Sequence, residues 1–361
     1  MSALNWTETF DFLKYTLSEG ESSDIGPADS YPKSIQSAPA CAHLEATLLA
    51  PGVLQFTPNQ ATDTDLILSC AVHGNETAPI EICNRLTNAI LAGDLNLRVR
   101  LLVMIGNIPA IKAGTRFIDE NLNRLFKPDA RLTEATNPEQ SRAIALMAEV
   151  DRFFESGGEL NERRRIHLDL HTAIRGSKHQ KFAVHPFLHG KPYQERFIAL
   201  LSGLDCTAVL LSHEATGTFS YFSSKAHGAE AATVELGKVM PFGENNPMDY
   251  LLTETTLRAL LIQQFDWQQV NWRSALQLFQ VSRSVHKQTE DFSLNFADDT
   301  FNFTQFETDS LICQDGDTAY TAQAPGEAIV FPNANVAIGQ RALLLLQTVT
   351  EPDQRLGFSD A

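Results

Sequence analysis

The feature that most constrains this chain is a repeated alternation. Short apolar runs bounded by polar or turn residues are interleaved with helical patterns. The runs are DLILSCAV (65–72), RVRLLVMIGN (98–107), RRRIHLDLH (163–171), CTAVLLS (206–212) and AATVELG (231–237). Between them, ETAPIEICNRLTNAILAG (76–93) and PEQSRAIALMAEVDRFFESGG (138–158) carry helical spacing, and each stops at glycine. Such alternation predicts an α/β fold with a mixed central sheet flanked by helices. Sheets of this kind bind ligands at the carboxyl ends of their strands, so the residues just after each run are the ones to inspect.

The texture changes near residue 265. From 276 to 348, apolar and polar residues alternate between turn signals such as QDGDT, APGE and FPNAN, the pattern of a small β-rich domain. With 361 residues the chain has room for two domains, placed at 1–265 and 266–361. The start of the chain, 1–20, is expected to be an amphipathic helix, with Trp6, Phe10, Leu13 and Leu17 at helical spacing. The Ser-, Pro- and Gly-rich stretch 21–40 is expected to be a loop.

Charge excludes some classes. Lys plus Arg number 28 and Asp plus Glu 44, a net charge of −16. That argues against general nucleic-acid binding and against attachment to anionic lipid, though arginines gathered in one cleft can still hold a small anion. No apolar run is long enough for a membrane helix, and the N-terminus has no secretory pattern. Cys41, Cys70, Cys83, Cys206 and Cys313 are scattered, with no CxxC spacing, as expected of reduced thiols in a cytoplasmic protein.

Chemistry-bearing residues stand where the strand-end rule points. The first run leads into HGNETAPIE, with His73 and Glu76 three apart at the strand-to-helix transition. An imidazole and a carboxylate so spaced can reach one metal ion, and zinc accepts such a mixed ligand set. The pattern alone is also compatible with a structural pair, and the chain holds a second one, His227 and Glu230, before a strand rather than after it. HLDLH places His167, Asp169 and His171 on one strand face, with His171 at the carboxyl edge. His167, farther back, reads as structural, and Asp169 could orient a ligating imidazole or simply be a buried polar group. Glu235 is an acid in the apolar run AATVELG, either a buried ion-pair partner or a general base.

GNIPAIKAGTRFIDENLNRLF (106–126) follows the second run and contributes Arg116, Asn123 and Arg124. Guanidinium groups can stabilise an oxyanion or clamp a carboxylate, although such a polar loop could equally be solvated surface. Arg175, Lys178 and Lys181 add positive charge just after His171. Taken together, a His₂Glu metal site, a nearby carboxylate and several arginines suit metal-assisted amide hydrolysis.

Four ordered segments, HGNETAPIE, GNIPAIKAGTRFIDENLNRLF, DLHTAIRGS and TVELGKVMPFGEN, closely resemble the succinylglutamate desuccinylase family. That family lies in the aspartoacylase branch of the zinc carboxypeptidase superfamily. The likeness runs from about residue 45 to FPNANVAIGQRALLLL near the C-terminus. It implies a zinc carboxypeptidase-like α/β domain, a smaller C-terminal β domain bordering the cleft, and one zinc ion per subunit. It implies His73, Glu76 and His171 as zinc ligands, Glu235 as proton donor and acceptor, and Arg116 as the group polarising the scissile carbonyl. Asn123 and Arg124 match the family's substrate-carboxylate pair. The implied reaction is hydrolysis of N2-succinylglutamate to succinate and glutamate, the last step of succinyl-dependent arginine breakdown. Its substrate carries three carboxylates, which Arg116, Arg124 and Arg175 would balance.

Other readings have definite signatures. An N-acetylaspartate deacylase would keep the metal site but need a smaller acyl pocket. A peptide carboxypeptidase would need a more open cleft. A non-catalytic binding protein would have lost Glu235 or a ligand, and the chain retains them all.

Overall fold

The computed structural model describes residues 3–5, 11–19, 33–36, 42–159 and 162–350. In chain order the first elements are β1 (Ala3–Asn5), α1 (Phe12–Glu19), β2 (Lys33–Gln36), β3 (Leu44–Ala50), β4 (Val53–Pro58) and β5 (Thr64–Cys70). There follow α2 (Thr77–Ala92), β6 (Arg100–Ile105), α3 (Ile108–Ala113), α4 (Pro138–Gly157) and β7 (Arg164–Ala173). Next come β8 (Phe182–His185), α5 (Glu195–Gly203), β9 (Ala208–Leu211), α6 (Phe219–His227), β10 (Glu230–Lys238), α7 (Leu251–Leu261) and α8 (Trp272–Ala275). The remainder is β: β11 (Gln277–His286), β12 (Ser293–Leu294), β13 (Thr304–Phe306), β14 (Leu311–Asp315), β15 (Thr318–Thr321), β16 (Glu327–Val330) and β17 (Arg341–Thr348). The described chain forms two compact units. One takes residues up to 172 with 215–234 and 239–267; the other takes 173–214, 235–238 and the chain from 268 onward.

The first unit is built on strands in the order β1-β2-β3-β4-β6-β5-β7-β10. At its centre β5 runs parallel to both β6 and β7, whereas β4 meets β6 antiparallel, so the sheet is mixed. Every residue of β5 and of β6 is buried, which is why both read as mainly apolar runs rather than alternating ones. Helices supply that burial. In α4, Ala143, Leu146, Met147, Val150, Phe153 and Phe154 fall at helical spacing on one face and join a core with Ile67, Leu102, Phe126 and Phe219. Each of the larger ones among them, Leu, Met, Val or Phe, contributes about 1.5–3 kcal/mol relative to exposure. The ends of α4 are set locally: Asn137 Oδ1 accepts from Gln140 N at 2.8 Å, and Pro138 fills the first turn. Helix α2 stops where Gly93 turns left-handed at φ 85°.

The second unit contains the strand order β8-β9-β11-β17-β16-β13 and a separate antiparallel sheet, β12-β14-β15. β8, β9 and β11 are parallel, and from β11 onward every pairing is antiparallel. One of its cores gathers Phe182, Leu210, Phe279, Phe303 and Leu346; another gathers Val285, Ile312, Leu343 and Leu345.

The five apolar runs and the two helices emerge where the sequence places them, and the C-terminal stretch is β-rich. The N-terminus differs. Residues 3–5 form β1, paired in parallel with β2, and among the described residues of this stretch the helix is α1. Leu13 and Leu17 are only half-buried there, and Phe12 and Thr16 face inward instead. Trp6 and Phe10 lie outside the described residues. β2 falls within the stretch read as loop: paired antiparallel with β3, its four residues take extended form despite the surrounding Ser and Pro. Among the described residues no helix is long and apolar enough to cross a membrane.

Candidate metal centre

Adjacent parallel strands deliver the candidate ligands to one place. The chain leaves β5 through Ala71, held left-handed at φ 55°, and reaches His73 and then Glu76 directly before α2. Gly74 between them packs so tightly on α3 that a Cβ there would lie 2.2 Å from the Ala110 carbonyl carbon, and its N–H donates to Arg116 O at 3.1 Å. Only glycine lets the ligand loop and the Arg116 segment approach so closely. The neighbouring strand β7 presents His171 near its carboxyl end.

One ligand atom from each of His73, Glu76 and His171 lies within 4.8 Å of the others, and all three residues are buried. Glu76 Oε1 stands 2.8 Å from His73 Nδ1, and Oε2 stands 2.9 Å from His171 Nδ1. The His73 Nδ1 atom is buried yet makes no hydrogen bond, despite that close carboxylate oxygen. A nitrogen and an oxygen that converge without bonding each other fit a shared cation between them. Donors of the type N, N and O are also a usual set for zinc with one position left open.

The opposite ring nitrogens are fixed from outside. His171 Nε2 lies 2.9 Å from Asp169 Oδ2, and His73 Nε2 donates to Asn121 Oδ1 at 3.0 Å. Each ring therefore turns Nδ1 toward Glu76, the role expected of groups that orient metal-bound imidazoles. Asp169 is in turn held by the Ser69 hydroxyl at 2.5 Å, and Ser69 pairs with Asp169 in the β5–β7 register. The Ser69 hydroxyl also meets His167 Nε2 at 2.8 Å, and His167 Nδ1 meets Ser223 Oγ at 2.7 Å. His167 is thus a hydrogen-bonded core residue lying beneath His171, on the same strand face.

Electrostatics follow from burial and pairing. Burial, with Arg116 beside it, outweighs Glu76 and lowers the His73 pKa to about 4. Burial likewise lowers His167 to about 4. For His171 burial also opposes the charge, but Asp169 and Glu76 on either side win and raise its pKa well above the ordinary value. Burial alone would raise Glu76; the two imidazoles instead hold it well below the usual carboxylate range.

Arg116 donates through Nη1 to Glu76 Oε1 at 2.7 Å, so the guanidinium stands at the edge of the triad. Asn123 and Arg124 lie in a single 3-10 turn, Leu122–Arg124, capped by Asn121. The Asn123 side chain accepts from Phe219 N at 3.0 Å, and Arg124 Nη1 donates to the Asn123 carbonyl at 2.8 Å. Asn121 Oδ1 accepts from both His73 Nε2 and Asn123 N, which ties this turn to His73. The second His–Glu pair does not converge: His227 lies 2.7 Å from Asp151, and Glu230 pairs with Arg164.

Glu235 occupies a buried position of β10, with buried Ala231, Ala232, Val234 and Leu236 as chain neighbours. Arg175 donates to Thr300 O at 3.0 Å, Lys178 is exposed, and Lys181 pairs with Asp205 at 2.7 Å. Sequence reasoning passed over Ser69 and Asn121. The signals were a lone hydroxyl in DLILSCAV and an asparagine two residues before Asn123.

Comparison with known proteins fits this geometry. The sequence pattern of the Succinylglutamate desuccinylase/Aspartoacylase catalytic domain matches residues 62–261, and that of the AstE/AspA barrel-sandwich hybrid domain matches residues 274–349. The chain belongs to the succinylglutamate desuccinylase/aspartoacylase family. Within that family, it is 45% identical to the succinylglutamate desuccinylase of Shewanella piezotolerans over 86% of this chain and 90% of the other. It is 46% identical to that of Idiomarina loihiensis over 82% of this chain and 87% of the other. The crystal structure of the Vibrio parahaemolyticus enzyme of the same name superposes with a TM-score of 0.82 at 34% identity, covering 95% of this chain and 96% of that one. All the triad residues fall inside the matched catalytic segment of the succinylglutamate desuccinylase/aspartoacylase family.

Proposed function

We propose that this chain is a zinc-dependent amide hydrolase that cleaves N2-succinyl-L-glutamate to succinate and L-glutamate, in the last step of succinyl-dependent arginine breakdown. The observation that carries the reading is the buried convergence of His73, Glu76 and His171, in a chain whose relatives bear the desuccinylase name. Those three residues would hold one zinc ion. When bound, zinc supplies a Lewis acid for the scissile carbonyl and lowers the pKa of a water.

The protein's own groups do the rest. Asp169 and Asn121 hold the two imidazoles in register. Glu235 takes the proton of the attacking water and returns it to the leaving amine nitrogen, a role suited to a carboxylate in an apolar strand. Arg116 shifts its hydrogen bond from Glu76 to the oxygen that gains charge as the carbonyl becomes tetrahedral. Asn123 and Arg124 bind a substrate carboxylate, and Arg175 is a third cation for a substrate with three carboxylates. A cytoplasmic location fits the four described cysteines, all free and buried.

The test is glutamate release from N2-succinylglutamate by zinc-loaded protein, with N-acetylaspartate and N-acetylglutamate run in parallel. Rapid release from the succinyl substrate alone is expected. Release mainly from an acetyl substrate would overturn the substrate assignment, and none from any would overturn the catalytic one.

A further inference from the structure

Glu139 is buried to 1% exposure in the first turn of α4, and no cation pairs with it among the described contacts. Its carboxylate instead gathers three donors from a distant part of the chain. Oε1 accepts from Asn107 Nδ2 at 2.9 Å and from Ile118 N at 2.8 Å; Oε2 accepts from Asp119 N at 3.3 Å. Asn107 begins the segment after β6, and Ile118 and Asp119 follow Arg116 within it. One buried carboxylate therefore closes that segment at both ends. Phe117 and Ile118 keep 38% and 43% of their surface exposed and Asp119 is exposed too, so packing of their own holds this stretch only in part. A reciprocal contact reinforces the clasp: Glu120 Oε2 accepts from Asn137 Nδ2 at 3.1 Å and from Gln140 Nε2 at 2.9 Å, both at the start of α4.

We infer that Glu139 is a positioning residue, which sets Arg116 against the reacting carbonyl by tying the Asn107 side chain before it, and the Ile118 and Asp119 backbone just after it, to the N-terminus of α4. The inference rests on the role proposed for Arg116. The geometry favours this over a simple buried acid. The α4 N-terminus is already capped by Asn137, so the Glu139 oxygens are left to serve the loop. Burial resists ionisation, yet the donated hydrogen bonds hold the carboxyl below its usual range, as a clamp with two acceptor oxygens requires. Gln at this position keeps the shape but turns an NH₂ group toward one backbone N–H, which sets two donors face to face and removes that N–H's acceptor.

The experiment compares wild type, Glu139→Gln, Arg116→Lys and the double variant on N2-succinylglutamate, with bound zinc measured in each. Glu139→Gln is expected to lower kcat at least tenfold, to change KM less than threefold and to keep zinc. In the Arg116→Lys background the same change is expected to cost less than threefold, because the group it positions is already altered. An equal loss in both backgrounds would mean a merely structural role and would overturn the inference, as would unchanged kcat in the single variant. Inactive wild type would instead sink the proposed function. Amide exchange of wild type needs no variant: Ile118 and Asp119 N–H are expected to be protected although their side chains are exposed, and exchange at unprotected rates would overturn the clamp.

Discussion

Asp169 Oδ2 sits 2.9 Å from His171 Nε2, on the side of the ring away from Glu76. That single contact decides which imidazole nitrogen is offered to a metal. An asparagine in its place keeps the size but can present its NH₂ group to Nε2, releasing the ring from one orientation. Asp169→Asn is expected to weaken zinc binding about 10–100-fold. A competition titration against a coloured chelator reads this directly, and unchanged affinity would remove Asp169 from the role.

Glu235 is the proposed proton carrier, not a ligand. Glu235→Gln should therefore retain zinc by metal analysis while kcat falls by about 10²–10⁴. Retained turnover would exclude it from the proton transfers; lost zinc would move it into the metal site.

Arg116 faces Glu76 at 2.7 Å before substrate arrives, so its removal should act on the reaction more than on binding. For Arg116→Ala, kcat is expected to drop by about 10²–10³, as for loss of one oxyanion donor. A rise in KM with kcat intact would instead make it a binding residue.

The strand face below the site was partly legible in the sequence. His167, Asp169 and His171 were separable by their distance from the strand's carboxyl edge, because parallel strands buried on both faces read as continuous apolar runs and their ends are plain. His73 and Glu76 were visible for the same reason. Asn121, Ser69 and Glu139 were not, since each acts through a partner 21 to 100 residues away that only the fold brings near. β2 was hidden differently: four residues paired beside β3 need little intrinsic strand preference when a neighbour supplies the ladder.

His167, outside the candidate triad, carries a pH signature set mainly by its burial. Its folded pKa of about 4 lies below the ordinary 6.5, so between these values the unfolded chain binds a proton that the native state refuses. Its contribution is complete above pH 6.5 and is lost as pH falls toward 4, amounting to about 3 kcal/mol over that window. Denaturant unfolding with chelator present should show a steeper acid loss in wild type than in His167→Gln. Parallel curves would mean that His167 is already charged in the fold.

The most direct test of the account is to strip the protein with a chelator and return zinc while following hydrolysis of N2-succinylglutamate. The prediction is that turnover vanishes on stripping and returns linearly up to one zinc per chain, and that His171→Ala cannot be restored. Full turnover by thoroughly metal-free protein would contradict it.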